Sequence, residues 1–538
     1  MQQFIKIARG LSSPAILIAA IWCATLISVA VGPIDYPLQP SAAVLALVAG
    51  GVSLFILAHQ AGAWCFSTWL RQRPNLPAPP VGMLSVVAAT TSIVGMAGIA
   101  LIAFDRVILS GVSNGGYAEL LRCAPALVDF IEIKRTPLLY AGYLTFSFGF
   151  VSLVLFLLRG EEISGWAAIL AQLSILSPVG YALLYSGRMP ILFVIVLIIA
   201  AVLVRIRQGR SALPQGHHLL LKMIAVVVVF GIYTNAMWAS RRNFCVQMSG
   251  RVEELLVKAR EQESERSRAT KRQDAKQKKE ASEIQQQQTK VQQEPSQTRQ
   301  PLSAETISAT GLSKMIDDTK ALPGAGVVHS VDVGTLLATM QEAWHARPRA
   351  YILSAIESGR LSPDTASNLL STYFYLTHGI RILDVTWHAR AQFSPLWGVY
   401  EIGILSPILR VFFPENQLLA SMNSELKSAE VLGFFPTVWA AAYIDFGAAG
   451  AVVYILFWGF AAGWSAFGAR HSALAMPALL LTFILASILL SPVQGPLGIS
   501  NSALVLVSML IVGIVIDLGS LSAGSRQRHR ELKPGTPV

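Results

Sequence analysis

Long apolar runs constrain this chain more tightly than any other feature. Between Pro14 and Val31 there is no charged residue, and the pattern recurs along most of the sequence. A helix needs ~20 predominantly apolar residues to cross the hydrocarbon of a bilayer. Runs of that kind fall at roughly 13–31, 41–59, 81–104, 137–158, 164–186, 190–206 and 219–238. After a long polar interval they resume at 447–468, 474–491 and 500–518. The expected fold is an all-α polytopic membrane protein with about ten transmembrane helices. Composition agrees: 14% of residues are charged, against roughly 25% in soluble domains, and mean hydropathy is +0.53.

The first run follows Lys6 and Arg9, as the apolar part of a signal peptide does. Its apolar part is long, and no small-residue cleavage site precedes "GPIDYP", so it reads as an uncleaved first span. Basic residues then set direction, because positive loops stay in the cytoplasm. Arg71 and Arg73 follow the second span, Arg205, Arg207 and Arg210 the sixth, and Arg470 the eighth; Arg526, Arg528 and Arg530 end the chain. All fall on one side with Lys6 and Arg9, which makes both termini cytoplasmic. The formal net charge of +11 is accounted for by these loops, and no aromatic–basic nucleic-acid motif accompanies it. The 105–136 loop, with Arg106, Arg122, Lys134 and Arg135 on the opposite side, is the weakest vote for this arrangement.

The division that follows is 1–238 for the first seven spans, 239–433 for one large extracytoplasmic loop, 434–518 for a re-entrant segment and three further spans, and 519–538 for a basic cytoplasmic tail. Within the loop, 251–300 is polar and of low complexity ("QDAKQKKEASEIQQQQTKVQQEPSQTRQ") and cannot bury a core. It reads as a solvated spacer or a partner-binding helix. The apolar stretch 395–413 offers an alternative with twelve spans if 434–446 returns it. That return is short, and the connecting 414–433 would put Glu415, Glu425 and Glu430 in the cytoplasm against Lys427 alone. Both stretches are therefore expected to be re-entrant or interfacial. Cys123 and Cys245 both fall outside the cytoplasm, where a bridge between them or two free thiols are equally open.

Polar residues converge on the extracytoplasmic edge. They are Asp105 and Arg106 after the third span, Arg188 in the turn "SGRMP", and Arg241 and Arg242 after the seventh span. The loop sequence "YFYLTHGIRILDVTWHAR" adds Tyr375, His378, Arg381, Asp384, His388 and Arg390, and "AAYIDFGAAG" adds Asp445. Singly, each has a structural reading: arginines beside spans snorkel, and an Asp–Arg pair caps a helix. Together, several guanidinium forks match a phosphate or pyrophosphate. No metal-binding motif, P-loop or serine-nucleophile motif is present, so chemistry here would rest on arginine electrostatics and a proton acceptor. Neither a metal nor a cofactor is expected.

Three stretches resemble the Wzy-type O-antigen or oligosaccharide repeat-unit polymerases of bacterial inner membranes: "SGRMPILFVIVLIIA", the loop containing "YLTHGI", and "TVWAAAYIDFGAAGAVVYILFWGFAAG". The Gln-rich 251–300 insertion departs from that pattern. The resemblance implies a fold similar to the C-type membrane glycosyltransferases. It also implies transfer of a glycan from undecaprenyl pyrophosphate to another lipid-linked repeat unit at the outer face of the inner membrane. The partners implied are the lipid-linked donor and acceptor, membrane lipids, and a chain-length regulator and flippase of the same pathway. Negative charge grows on the pyrophosphate as it leaves, which preorganised arginines stabilise. The candidates are Arg188, Arg381, Arg241, Arg242 and Arg106, with Tyr375 against the glycan. The acceptor hydroxyl needs a base, for which His378, Asp445 and Asp105 are the candidates.

Other readings stay open. A ligase that moves the finished glycan to another acceptor uses the same donor and leaving group. A transporter or lipid flippase would place charge deep in several spans, and these spans are nearly free of it. A scaffold subunit acting through 251–300 would lose its function with that segment.

Overall fold

The computed structural model describes residues 10–36, 40–73, 77–109, 136–184, 189–214, 333–389, 394–403, 436–498 and 501–531, with isolated positions between 228 and 232 and between 405 and 431. The described residues form a helical bundle. In chain order the helices are α1 (Pro14–Val31), α2 (Ala42–Arg71), α3 (Val81–Ala103), α4 (Pro137–Arg159), α5 (Gly165–Leu173), α6 (Leu176–Leu184) and α7 (Met189–Arg207). An insert follows, with α8 (Val333–Ala343), α9 (Ala350–Glu357) and α10 (Pro363–His388), and then α11 (Val438–His471), α12 (Ala475–Leu490) and α13 (Ser502–Glu531). Eight helices among the described residues are long and apolar enough to cross a membrane, with α5 and α6 together forming one of them. α12 is apolar throughout and shorter, at 16 residues. This is a multi-pass membrane protein. Most of the expected seventh span, and Cys123, Cys245 and 251–300, lie outside the described residues.

The starts of these helices are written in the sequence. Pro14, Pro137 and Pro363 stand in first turns, where a missing N–H costs nothing. Ser41, Thr136, Ser362 and Thr437 cap α2, α4, α10 and α11 by accepting from Val44, Leu139, Thr365 and Ala440 N–H. Each cap satisfies a donor that the helix itself leaves orphaned.

Burial then ranks the helices. α12 is buried over almost its whole circumference and packs on α1, α4, α7, α11 and α13, as expected for a helix apolar on every face. The outer helices keep large apolar side chains exposed, among them Leu57, Trp64, Ile93, Phe457 and Leu518, on the faces that lipid would cover.

α2 and α11 form the closest pair. A Cβ on Gly463 would stand 1.8 Å from the His59 carbonyl oxygen, and one on Gly62 2.0 Å from that of Phe460. A Cβ on Gly459 would meet the Phe55 carbonyl at 2.6 Å. The two backbones therefore touch along this stretch, as small residues allow between membrane helices. Nearer its start, α11 breaks at Gly447 (φ 63°, ψ −173°), a conformation open to glycine and strained for other residues.

The insert is fastened to the end of α1. Residues Ile34–Asp35 (β1) pair antiparallel with Arg347–Pro348 (β2), in the register Ile34↔Pro348 and Asp35↔Arg347. Arg349 N–H donates to the Pro33 carbonyl at 2.9 Å. Tyr36 and Thr377 hydroxyls meet at 2.8 Å, and Tyr373 donates to the Ser28 carbonyl. The bundle thus has an insert end and, opposite it, a basic end carrying Arg159, Arg205, Arg207 and Arg210.

Candidate functional site

The most engaged polar group at the insert end is Asp445, two residues before the break in α11. Its side chain is fully buried. Its carboxylate accepts the Tyr400 N–H at 2.9 Å and the Glu401 N–H at 2.6 Å, and its own carbonyl accepts the Trp397 N–H at 2.8 Å. A charge placed on two backbone donors is held by charge-assisted hydrogen bonds. Asp445 therefore anchors the turns of 394–403 to α11, which is a positioning role. It explains how a carboxylate is kept beside so apolar a helix.

That anchoring presents Glu401, a residue the sequence reading passed over. Glu401 is 2% exposed. Its Oε1 accepts the Tyr454 hydroxyl at 2.9 Å and the Leu497 N–H at 3.0 Å. Burial, reinforced by the neighbouring Asp445 charge, pushes its carboxyl up to about 7. Burial likewise raises the Tyr400 phenol. A signal was available: Glu401 is a lone acid in the apolar "SPLWGVYEIGIL", and an acid in such a run is a functional candidate for the same reason as Asp445.

A second cluster lies on α10. His378 is buried, stacks on Phe374 at 4.5 Å, and directs Nδ1 to the Phe374 carbonyl at 2.8 Å. Burial pushes its imidazole down to about 4. Arg381, half-buried one turn on, lies close enough to contribute to the shifts of both His378 and Tyr36. Tyr375 is exposed and meets the His378 ring edge-on at 6.0 Å. The turn holding His378 rests on the start of α11: a Cβ at Gly379 would lie 2.5 Å from the Pro492 carbonyl and 3.0 Å from Thr437 Cγ2. His378, Arg381 and Tyr375 are thus brought together beside the α11 start.

Further along α10, Asp384 accepts the Ser41 N–H at 3.1 Å and the Ser41 hydroxyl at 2.8 Å, and pairs with His388 Nδ1 at 3.1 Å. This joins α10 to the cap of α2. Between those helices and α11 lies an apolar groove of about 480 Å³, within the ~300–1,000 Å³ usual for ligand clefts. Small residues leave the space: Ala43, Ala46 and Gly50 on α2, and Ala448 and Ala451 on α11. Trp387 and Tyr443, 5.7 Å apart, form its aromatic rim.

Asp105 and Arg106 sit elsewhere, in a π-helical turn (Phe104–Leu109) that continues α3. Asp105 is buried and accepts the Thr136 hydroxyl, while Arg106 Nε stands 3.9 Å from its carboxylate. This pair ties α3 to the start of α4. Arg188, Arg241 and Arg242 lie outside the described residues. Among the described residues no cluster of three or more His, Cys, Asp or Glu is set to hold a metal ion. No family model, characterised protein or solved structure matches the chain.

Proposed function

We propose that this protein is a membrane glycosyltransferase that joins undecaprenyl-pyrophosphate-linked oligosaccharide repeat units into a surface polysaccharide at the outer face of the bacterial inner membrane. The observation that carries the reading is the groove between α2, α10 and α11. It is lined by apolar side chains, lies between two membrane-length helices, and is roofed by the helix that bears Arg381, Asp384 and His388. An amphiphile with a long hydrocarbon chain and a polar head fits this division. The isoprenoid chain would lie in the groove and the pyrophosphate and sugars against α10. Arg381 would face the charge that develops on the leaving pyrophosphate, and Arg188, Arg241 and Arg242 fall in the same extracytoplasmic space by the positive-inside assignment. Both termini are then cytoplasmic.

Asp445, two positions after the groove residue Tyr443, fixes the 394–403 turns on α11, and Glu401 of those turns accepts from Tyr454. The aromatic rim of Trp387 and Tyr443 suits either a sugar face or the lipid interface, since such rings are apolar with a polar tip.

Deletion of the gene, with the cell-surface polysaccharide run on a gel, tests the reading. Loss of a polymerase leaves single-repeat material. Lipid-linked long chains would instead identify a ligase, and an unchanged ladder would exclude both. Arg381→Ala is expected to shorten the ladder through a roughly 10²–10³-fold loss of rate, as for removal of one charge-stabilising donor.

A further inference from the structure

Three histidines of the described helices place Nδ1 on the carbonyl four residues earlier: His378 on Phe374, His388 on Asp384 and His471 on Phe467. That contact is a helical rotamer and distinguishes none of them. His388 differs in two respects. Its Nδ1 also meets a carboxylate, Asp384 Oδ1, at 3.1 Å, and its side chain is 65% exposed. His378, by contrast, is 2% exposed and stacked beneath Phe374.

Two acceptors face Nδ1 of His388, the Asp384 carboxylate and carbonyl, so the ring proton resides there and the Nε2 lone pair points outward. Asp384 is itself fixed. Both its oxygens are held by Ser41, one by the hydroxyl and one by the N–H. A proton acceptor, an orienting carboxylate and a residue that pins the carboxylate form the arrangement that general-base sites require. Its location follows from its neighbours. Trp387, adjacent to His388, lines the groove, and Ser41 precedes the groove residue Ala43 by two positions. The exposed imidazole lies on the same last turn of α10 as Trp387, beside the groove and outside its lining.

We propose that His388 is the general base of the transfer, with Asp384 and Ser41 as its positioning residues. This rests on the polymerase reading and assigns the proton acceptor within it. The acceptor sugar hydroxyl oxygen forms the new bond to the anomeric carbon of the donor glycan. The bond from that carbon to the pyrophosphate oxygen breaks, and its electron pair leaves with the lipid pyrophosphate. The hydroxyl proton passes to Nε2, and the resulting imidazolium is stabilised by Asp384 until it releases the proton to water.

The test uses the full chain in phospholipid vesicles and, as substrate, the lipid-pyrophosphate oligosaccharide fraction extracted from a deletion strain. His388→Ala is expected to lower kcat by roughly 10²–10⁴-fold, the range of general-base contributions, with KM changed only a few-fold. Added imidazole restores at least tenfold of that loss. His388→Gln keeps a donor for Asp384 but cannot take the proton, so it stays slow at wild-type Tm. Asp384→Asn lowers kcat more than it raises KM. The assignment is overturned if His388→Gln elongates within threefold of wild type, or if imidazole fails to restore His388→Ala. A wild-type protein that does not elongate this fraction overturns the polymerase reading itself, and the base assignment with it.

Discussion

The two ends of the bundle lean on different charged groups, with Asp517 on the Ala475 and Met476 N–H groups at the basic end and Arg349 on the Ala30 carbonyl at the insert end as exceptions. At the basic end the arginines are consumed by structure. Arg205 is 1% exposed, donates to the carbonyls of Leu157, Leu158 and Ser211, and pairs with Glu161. Arg159 pairs with Glu162 at 3.0 Å and donates to the Ala473 carbonyl at 2.8 Å. Arg207 spends its guanidinium on the carbonyls of Ser12 and Ala466. At the insert end the anchoring groups are carboxylates on backbone N–H donors: Asp445 on 400–401, Glu401 on Leu497, and Asp384 on Ser41. Cations tied to carbonyls lock helix ends together. Carboxylates tied to N–H groups hold loops and helix starts in place.

The comparison can be broken most forcefully at Arg205. Arg205→Ala leaves three carbonyls without their donor and Glu161 with Arg210 alone at 3.9 Å, and is expected to destabilise by about 3 kcal/mol. The readout is the yield of detergent-stable protein, and a normal yield would show that the basic end is not the lock described.

Glu401 sharpens the contrast through pH. Its carboxyl rises from 4.5 when unfolded to about 7 when folded, so folding favours its protonated form. The associated stability is complete below pH 4.5 and is lost as pH climbs to 7, by about 3 kcal/mol in all. Relative to Glu401→Gln, the wild-type Tm should therefore fall across that window and level off above it. A constant Tm difference would remove the buried carboxylate from the account.

Asp445→Ala strands two buried backbone donors and is expected to cost about 2 kcal/mol or more. Limited proteolysis should then cut within 394–403 while the bundle remains intact, with Asp445→Asn intermediate. The smallest effect is expected at Arg210, a partly exposed cation 2.8 Å from Glu162. Arg210→Ala should change stability by less than about 1 kcal/mol, and a larger loss would mean that the outer pair shares the work of Arg205.

The helices were legible because membrane spans need only length and apolarity, both local properties. The expected runs at 13–31, 81–104, 137–158 and 190–206 correspond closely to α1, α3, α4 and α7. Their ends were less legible. α2 continues to Arg71, well past the apolar run ending near 59, whereas in α11 the helical dihedrals break at Gly447, where the expected span starts. Helix can continue beyond apolar sequence, and the left-handed Gly447 separates a short helical segment at 438–446 from the span that follows.

The site was legible by residue type and not by partner. "YLTHGIRILDVTWH" and Asp445 were visible as polar groups beside apolar sequence. Their pairing with Ser41, 343 residues from Asp384, and with the 400–401 backbone depends on tertiary contact that no local pattern records. Glu401 was overlooked because a single acid barely disturbs the apolar average of its segment.

The touching backbones of α2 and α11 have a consequence for traffic. Gly459, Gly62 and Gly463 close the two helices against each other directly below the groove, where its lining ends at Leu54 and Ile455. Among the described residues the groove is therefore closed at that end. Passage from the groove towards the basic end is shut by this helix pair.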